Sequence, residues 1–299
     1  VGFLEEIMKQ AKYKNPRNNV VKNPAIACVM PIFVPEGQIE NYDVRSNVNP
    51  NKYYEFTENK LESIKFTLAC YKHYKTQLDY DLILVNNDSR DKETLQFLKK
   101  FPKVYHRENR GFSFGAYQYI WDKFGNQYEY YLFHEQDWGP AKDYWLEEIL
   151  TRFLSDREIG AVGNTIEDRP TDPIGNVESL KEILGTQRER LYNLDGAYTF
   201  TSSRVLRQSG IEVLECEPHT SLNAMYNEIL FQQPILEQGY KLSSFDDNKH
   251  IRVAGISIYD IHPKYNKLTN FAPIIQGNAR FFSRRIANHF NWYDKRKRY

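Results

Sequence analysis

The chain has almost no net charge, since 40 Lys and Arg stand against 39 Asp and Glu and leave +1. No global field steers it to nucleic acid or to an acidic surface, and nucleic acid is not expected as a partner. Cysteine is scarce as well. Cys28, Cys70 and Cys216 lie far apart and match no metal-ligand spacing, so buried, reduced thiols are expected. Apolar runs stay well short of the length that crosses a bilayer. No secretory signal is visible behind Val1, and there is neither an internal repeat nor a low-complexity block. These lacks point to the cytoplasm, with the inner face of a membrane as a variant of the same expectation. What the chain does have is 41% hydrophobic residues over 299 positions, enough to bury a sizeable core in one large or two fused domains.

Residues 1–24 read as a short amphipathic helix and a basic connector ahead of the main fold. Ala25–Phe33 is a buried first strand whose pairing should stop near Pro31. After a long polar loop over 34–56, Thr57 is a candidate cap for a helix with Leu61, Ile64, Leu68 and Tyr71 on one face. Asp81–Val85 is a second buried strand, 91–100 a helix, Lys103–His106 a third strand, and 113–125 a helix stopped by Gly125. Tyr130–Phe133 is a fourth strand. The alternation of apolar strands with helices predicts an α/β fold, a mostly parallel sheet flanked by helices on both faces. Ligands of such sheets sit at the carboxyl ends of the strands, where the segments after the first, second and fourth strands carry polar or acidic groups.

Further along, Asp143 is expected to cap a helix with Leu146, Ile149, Leu150 and Phe153 inward. Ile159–Ile166 reads as one strand, 167–194 as a loop with a short helix, Ala197–Thr201 as a strand and Ser203–Ser209 as a helical turn. Ser221–Gln238 is a helix with a kink expected at Pro234. Strands follow at Leu242–Phe245 and Ile251–Ile258. The tail over 263–299 ends in a basic cluster at Lys295, Lys297 and Arg298. It reads as a solvated terminus, or with Phe281, Phe282, Phe290 and Trp292 as a peripheral membrane contact.

One stretch organises the rest. Tyr130 to Gly139 reads YYLFHEQDWG, an apolar strand that changes abruptly to Glu135 and Asp137. On an extended chain residues two apart point to the same side. Two carboxylates at a strand end suit a hard divalent cation, Mg²⁺ or Mn²⁺, which takes one or two protein carboxylates and completes its shell with phosphates and water.

Four stretches stand in order: Pro31-Ile32-Phe33, Val85-Asn86-Asn87-Asp88-Ser89-Arg90-Asp91, Asn109-Arg110-Gly111 and Glu135-Gln136-Asp137. This series resembles the family 2 glycosyltransferases of the GT-A fold over roughly residues 25–262. The wording ENRGFSFGAY is similar to members that build rhamnose-containing polysaccharides. The resemblance implies a nucleotide-binding half over 25–139 and an acceptor half over 140–262. It implies transfer of a sugar, with inversion, from a nucleotide-sugar donor to a glycan or lipid-linked saccharide acceptor. Glu135, Asp137 and His262 become candidate metal ligands. Pro31, Phe33, Asn86, Asp88, Asn109, Arg110, Gly111 and Gln136 become candidate donor-binding residues, Asn86 in the family's base-reading position. Counting back from Gly239-Tyr240 puts Asn227-Glu228 at the family's paired acid, with Glu228 as the general base.

The chain departs from the family in three places. Its metal motif begins with Glu, its base-reading Asp is Asn, and its paired acid is Asn-Glu. Altered donor preference accounts for these changes, and so does a catalytically silent carbohydrate-binding or assembly protein. A sugar nucleotidylyltransferase is the third reading, though FVPEGQ after the first strand holds a single Gly where that class needs a Gly-rich basic loop. Glu135 and Asp137 retain both carboxylates, which favours the active enzyme.

Overall fold

The computed structural model describes residues 25–34, 60–136, 138–140, 143–170, 190–194, 198–214 and 221–245. The N-terminal helix, the 34–56 loop beyond Val34, Thr57, the strand at Ile251–Ile258 and the basic tail lie outside the described residues. So do Cys216, Asp137 and His262.

The apolar runs become strands buried on both faces. β1 (Ile26–Ile32) is buried at every residue, and β2 (Tyr80–Asn87), β3 (Val104–Arg107) and β4 (Tyr130–His134) lie parallel to it or to each other. With β5 (Ile159–Gly163), β8 (Tyr198–Ser202) and β9 (Lys241–Ser244) they form one sheet in the order β3-β2-β1-β4-β8-β5-β9. β8 is antiparallel to both β4 and β5, and β9 is parallel to β5. Within this sheet β8 alone opposes the common direction, so the mostly parallel expectation holds. The carboxyl ends of the other strands share one edge.

Alternation along β1 sorts the core into two sides. Met30 and Ile32 pack with Ile64 of α1 (Lys60–His73) and Leu98 of α2 (Lys92–Leu98). Ala27 and Val29 pack with Phe114, Tyr117 and Ile120 of α3 (Phe112–Phe124). Ile26 and Cys28 face the cluster of Trp145, Ile149 and Phe153 on α4 (Trp145–Leu154). Helices thus cover both faces. Leu61, Ile64 and Tyr71 are buried, as the helical spacing predicts. Cys28 and Cys70 are buried free thiols, and burial pushes the Cys70 thiol up to about 12. No helix among the described residues is long and apolar enough to cross a membrane.

Several boundaries differ from expectation. Pairing does not end at Pro31: the β1–β2 ladder runs on to Ile32↔Asn86, whereas the β1–β4 ladder closes at Val29↔Phe133. Pro31 therefore sits where one flank of β1 requires no N–H. Asp143 does not cap α4. Tyr144 takes that position in a left-handed conformation, and the Asp143 carboxylate accepts the Lys75 N–H at 2.8 Å. The strand expected over Ile159–Ile166 divides after Gly163. β6 (Ile166–Pro170) leaves the main sheet and pairs with β7 (Arg190–Leu194), so the ends of the expected 167–194 loop are a two-stranded antiparallel sheet. Among the described residues the two remaining α-helices are α5 (Ser203–Ser209) and α6 (Ser221–Glu237), the latter continuous through Pro234.

Candidate functional site

The carboxyl edge of the sheet is closed by polar side chains that bond one strand's exit to the next. Ser89, two residues past β2, is buried. Its hydroxyl accepts from the Val34 N–H at 2.8 Å and donates to the Ile32 carbonyl at 3.3 Å. That holds the exit of β1 against the turn after β2. On the other flank, Gln136 continues the β1–β4 pairing with its side chain. Its Oε1 accepts the Phe33 N–H at 2.8 Å, and its Nε2 donates to the Phe33 carbonyl at 3.3 Å. The Thr67 hydroxyl of α1 donates to the Gln136 carbonyl. Gln136 thus fixes the backbone on which Phe33 is presented.

Asn87 and Arg107 form a second clasp. Asn87, buried at the end of β2, donates through Nδ2 to Asn109 Oδ1 at 2.7 Å and to the Phe112 carbonyl at 3.0 Å. Its Oδ1 accepts from Arg107 Nη1 at 2.6 Å, and Arg107 Nη2 donates to the Arg110 carbonyl at 2.8 Å. The loop of Asn109, Arg110 and Gly111 is shaped from beneath by these groups. Asn109 is buried. Arg110 is exposed and pairs with Glu108 at 3.2 Å.

Gly111 opens α3 with φ +71°, and a Cβ there would lie 2.7 Å from Val213 Cγ1. A side chain at that φ is strained and here also meets packed neighbours. Gly111→Ala is expected to cost about 2 kcal/mol of stability, read as a lower midpoint in chemical denaturation.

Glu135 follows β4 directly, and its Oε2 accepts from the Ser113 hydroxyl in the first turn of α3 at 2.7 Å. Beneath it runs a buried chain of groups. His134 is fully buried, and burial lowers its imidazole to about 4, so the ring is neutral. Its Nδ1 lies 2.9 Å from the Glu135 carbonyl, which can only accept. The proton is therefore on Nδ1, and Nε2 accepts from the Tyr71 hydroxyl at 2.8 Å. The turn carrying Glu135 and Gln136 is anchored to α1 through this ring and through Thr67.

α6 closes the rim. Asn227 is buried. It accepts the Leu214 N–H at 2.6 Å and donates to the Leu214 carbonyl at 3.2 Å and the Gly111 carbonyl at 3.4 Å. One turn on, Phe231 packs edge-on against Phe133 at 5.6 Å between ring centroids and against Phe114 at 5.5 Å. Burying a Phe contributes about 2–3 kcal/mol and each of these hydrogen bonds nearer 1. Phe231 and the three Asn227 bonds therefore contribute comparably to the attachment, and Asn227 sets where the helix lies against the Gly111 loop. Gln232 Nε2 donates to Thr199 Oγ1 at 2.9 Å, and Thr199 is the register partner of Phe133. Glu228 stands one turn before Gln232 on that side, toward the strand ends, and is half-buried.

Among the expected site residues, Phe33, Asn86, Asn109, Gly111, Glu135 and Gln136 thus belong to one bonded rim, and Pro31 is buried near the end of β1. Asn86 is buried with its amide engaged in its own turn. Asp88, at φ 70°, is in a two-point ion pair with Arg90. Asn87, Ser89 and Ser113 were not singled out as site residues, yet with Arg107, a candidate diphosphate contact from the sequence, and Asn227 of the paired-acid position they hold it together. The available signal was the run of polar residues continuing an apolar strand, since buried polar groups require partners.

A hard cation needs few protein ligands, and Glu135 offers a carboxylate at this edge, with Asp137 two residues on. Among the described residues no three metal-ligating side chains gather.

Residues 56–214 match the family model described as Glycosyl transferase family 2. No curated protein sequence matches the chain. Among solved structures, glucosyl-3-phosphoglycerate synthase from Mycobacterium tuberculosis, in complex with Mg²⁺ and uridine diphosphate, is 14% identical, with 81% of this chain and 72% of that one covered at a TM-score of 0.43. The mannosyltransferase PcManGT from Pyrobaculum calidifontis, in complex with GDP-Man and Mn²⁺, is 16% identical, with 81% and 62% covered at 0.41. A cytidylyltransferase from Leptospira borgpetersenii is 11% identical, with 91% and 97% covered at 0.46. These likenesses are distant.

Proposed function

The chain belongs to glycosyl transferase family 2, and from that premise we propose that it moves a hexose-type sugar from a nucleotide-sugar donor to a glycan or lipid-linked saccharide, inverting the anomeric carbon. One observation carries this reading. The exits of β1, β2 and β4, the loop after β3 and the first turns of α3 and α6 are joined by side-chain bonds into a single rim.

In this reading Phe33, held by Gln136 and Ser89, flanks the nucleobase. The Asn109–Gly111 loop, with Arg110 beside it, faces the diphosphate. Glu135 and Asp137 hold Mg²⁺ or Mn²⁺, with His262 a further candidate ligand. The cation supplies charge neutralisation for the departing diphosphate. Glu228 takes the proton of the acceptor hydroxyl as it attacks the anomeric carbon from the face opposite the leaving group. The nucleotide half spans 25–139 and the acceptor half 140–262. Polysaccharide assembly of the rhamnose-containing type, on the cytoplasmic side of a membrane touched by the 263–299 tail, is the setting we infer.

A panel of sugar nucleotides, incubated with and without Mn²⁺, tests the reading. The expected result is metal-dependent release of a nucleoside diphosphate from one donor, faster when a saccharide acceptor is added. Binding without turnover would assign the chain to the silent carbohydrate-binding class, and failure of every donor to bind would end the transferase reading.

A further inference from the structure

The turn after β2 gives a task to a residue outside every motif considered so far. Asn86 occupies the position from which a base would be read, yet its amide is consumed. Its Oδ1 accepts the Ser89 N–H at 2.8 Å, and its Nδ2 donates to the Ser89 carbonyl at 3.0 Å. These two backbone contacts fix which end of the amide is nitrogen, because reversing it would set donor against donor and acceptor against acceptor. The second Nδ2 hydrogen points to His106 Nδ1 at 3.1 Å.

An amide nitrogen only donates, so His106 Nδ1 presents its lone pair and the neutral ring carries its proton on Nε2. His106 is the register partner of Asn86 on the neighbouring strand, one residue from the carboxyl end of β3. Asn86 is buried and His106 is exposed. What the β2–β3 end of the rim offers outward is therefore an oriented N–H donor, held in that tautomer from behind.

We propose that His106 reads the donor's nucleobase by donating Nε2–H to the oxygen on C4 of a pyrimidine or C6 of a purine, with Asn86 as the positioning residue that sets the tautomer. This rests on the nucleotide-sugar reading above. A donor at that place pairs with a carbonyl acceptor, O4 of uracil or thymine or O6 of guanine. Against the N4 amino group of cytosine or the N6 amino group of adenine it sets donor against donor. The nucleotide is thus a keto-base diphosphate.

The test titrates the full chain, with Mn²⁺ present, against UDP, dTDP, GDP, CDP and ADP. At least one keto-base nucleotide is expected to bind about tenfold more tightly than both CDP and ADP, the difference one oriented hydrogen bond makes. His106→Phe keeps a ring and removes the donor. It should erase that preference by weakening the favoured nucleotide about tenfold and leaving CDP and ADP unchanged. Proton–nitrogen correlation NMR on the wild-type chain should find the His106 proton on Nε2. A proton on Nδ1, equal binding of CDP or ADP, or an unchanged preference in His106→Phe would each overturn the proposal and leave donor binding itself intact. If no nucleoside diphosphate binds, the donor reading and the proposal fall together.

Discussion

Glu228→Gln should lower the rate of sugar transfer by about 10²–10⁴-fold while leaving donor affinity unchanged, the loss expected when a general base is replaced by an isosteric amide. The placement of α6 is what makes the prediction sharp. A tight turn joins α6 to β9, which runs parallel to β5, so the helix runs against the common strand direction and its first turns lie at the carboxyl edge. Asn227 bonds the Gly111 carbonyl and Gln232 bonds Thr199, and Glu228 follows Asn227 on the same stretch of helix. Asn227 matters to the interpretation. It stands where the family pattern has an acid, but its amide both donates and accepts within the Leu214 and Gly111 contacts, which a carboxylate cannot do. The departure at that position is accounted for by packing of the rim, and in the proposed mechanism the base is Glu228. Steady-state kinetics with the donor saturated separates the outcomes. A fall in kcat with unchanged donor KM supports the base, and full-rate transfer by Glu228→Gln would remove it from the mechanism while sparing the reaction class.

The parts of this molecule that were legible in its sequence are those governed by local chemistry. β1, β2, β4 and β5 are apolar runs because helices cover both faces of the sheet, and α1 shows its buried Leu61, Ile64 and Tyr71 at helical spacing. Elements decided by distant partners were not legible. β6 and β7, IEDRP and RLYNL, mix polar and apolar residues without a clear alternation and, among the described strands, pair with each other, so neither hydrophobic periodicity nor length announced them. Nothing in YTFTS indicates that β8 runs antiparallel, a direction that depends on Tyr130↔Ser202 and its neighbours. The site divides in the same way. Glu135 and its place at a strand end are visible locally, whereas the Gln136 bonds to Phe33 span 103 residues and the Asn227 bond to Gly111 spans 116. Asn86 is the instructive case. Its position was readable and its surroundings were not, and the Ser89 and His106 contacts change what it can do.

Asp137→Ala should reduce turnover about a thousandfold, because a cation that neutralises a leaving diphosphate is worth several kcal/mol to the transition state. Glu135→Ala should cost less. The Glu135 Oε2 already receives the Ser113 hydroxyl, and its backbone is held by the His134 ring, so part of its job is to align the first turn of α3 with the end of β4. Asp137 keeps the family's residue at the last position of the motif, and in the proposed reading it is the main ligand. The comparison separates a ligand from an aligning group. Raising Mn²⁺ should restore activity to Glu135→Ala, whose remaining carboxylate still binds, and should restore little to Asp137→Ala. Glu135→Asp, which recreates the usual pair of aspartates, should keep most of the rate but lose the Ser113 contact, since the shorter side chain reaches less far. Chelation should stop the wild-type enzyme and added Mn²⁺ should return it. Undiminished transfer by Asp137→Ala in the presence of chelator would show that the reaction runs without a cation at this strand end. Neutralisation of the diphosphate would then fall to Arg110 and the amides of the Asn109–Gly111 loop.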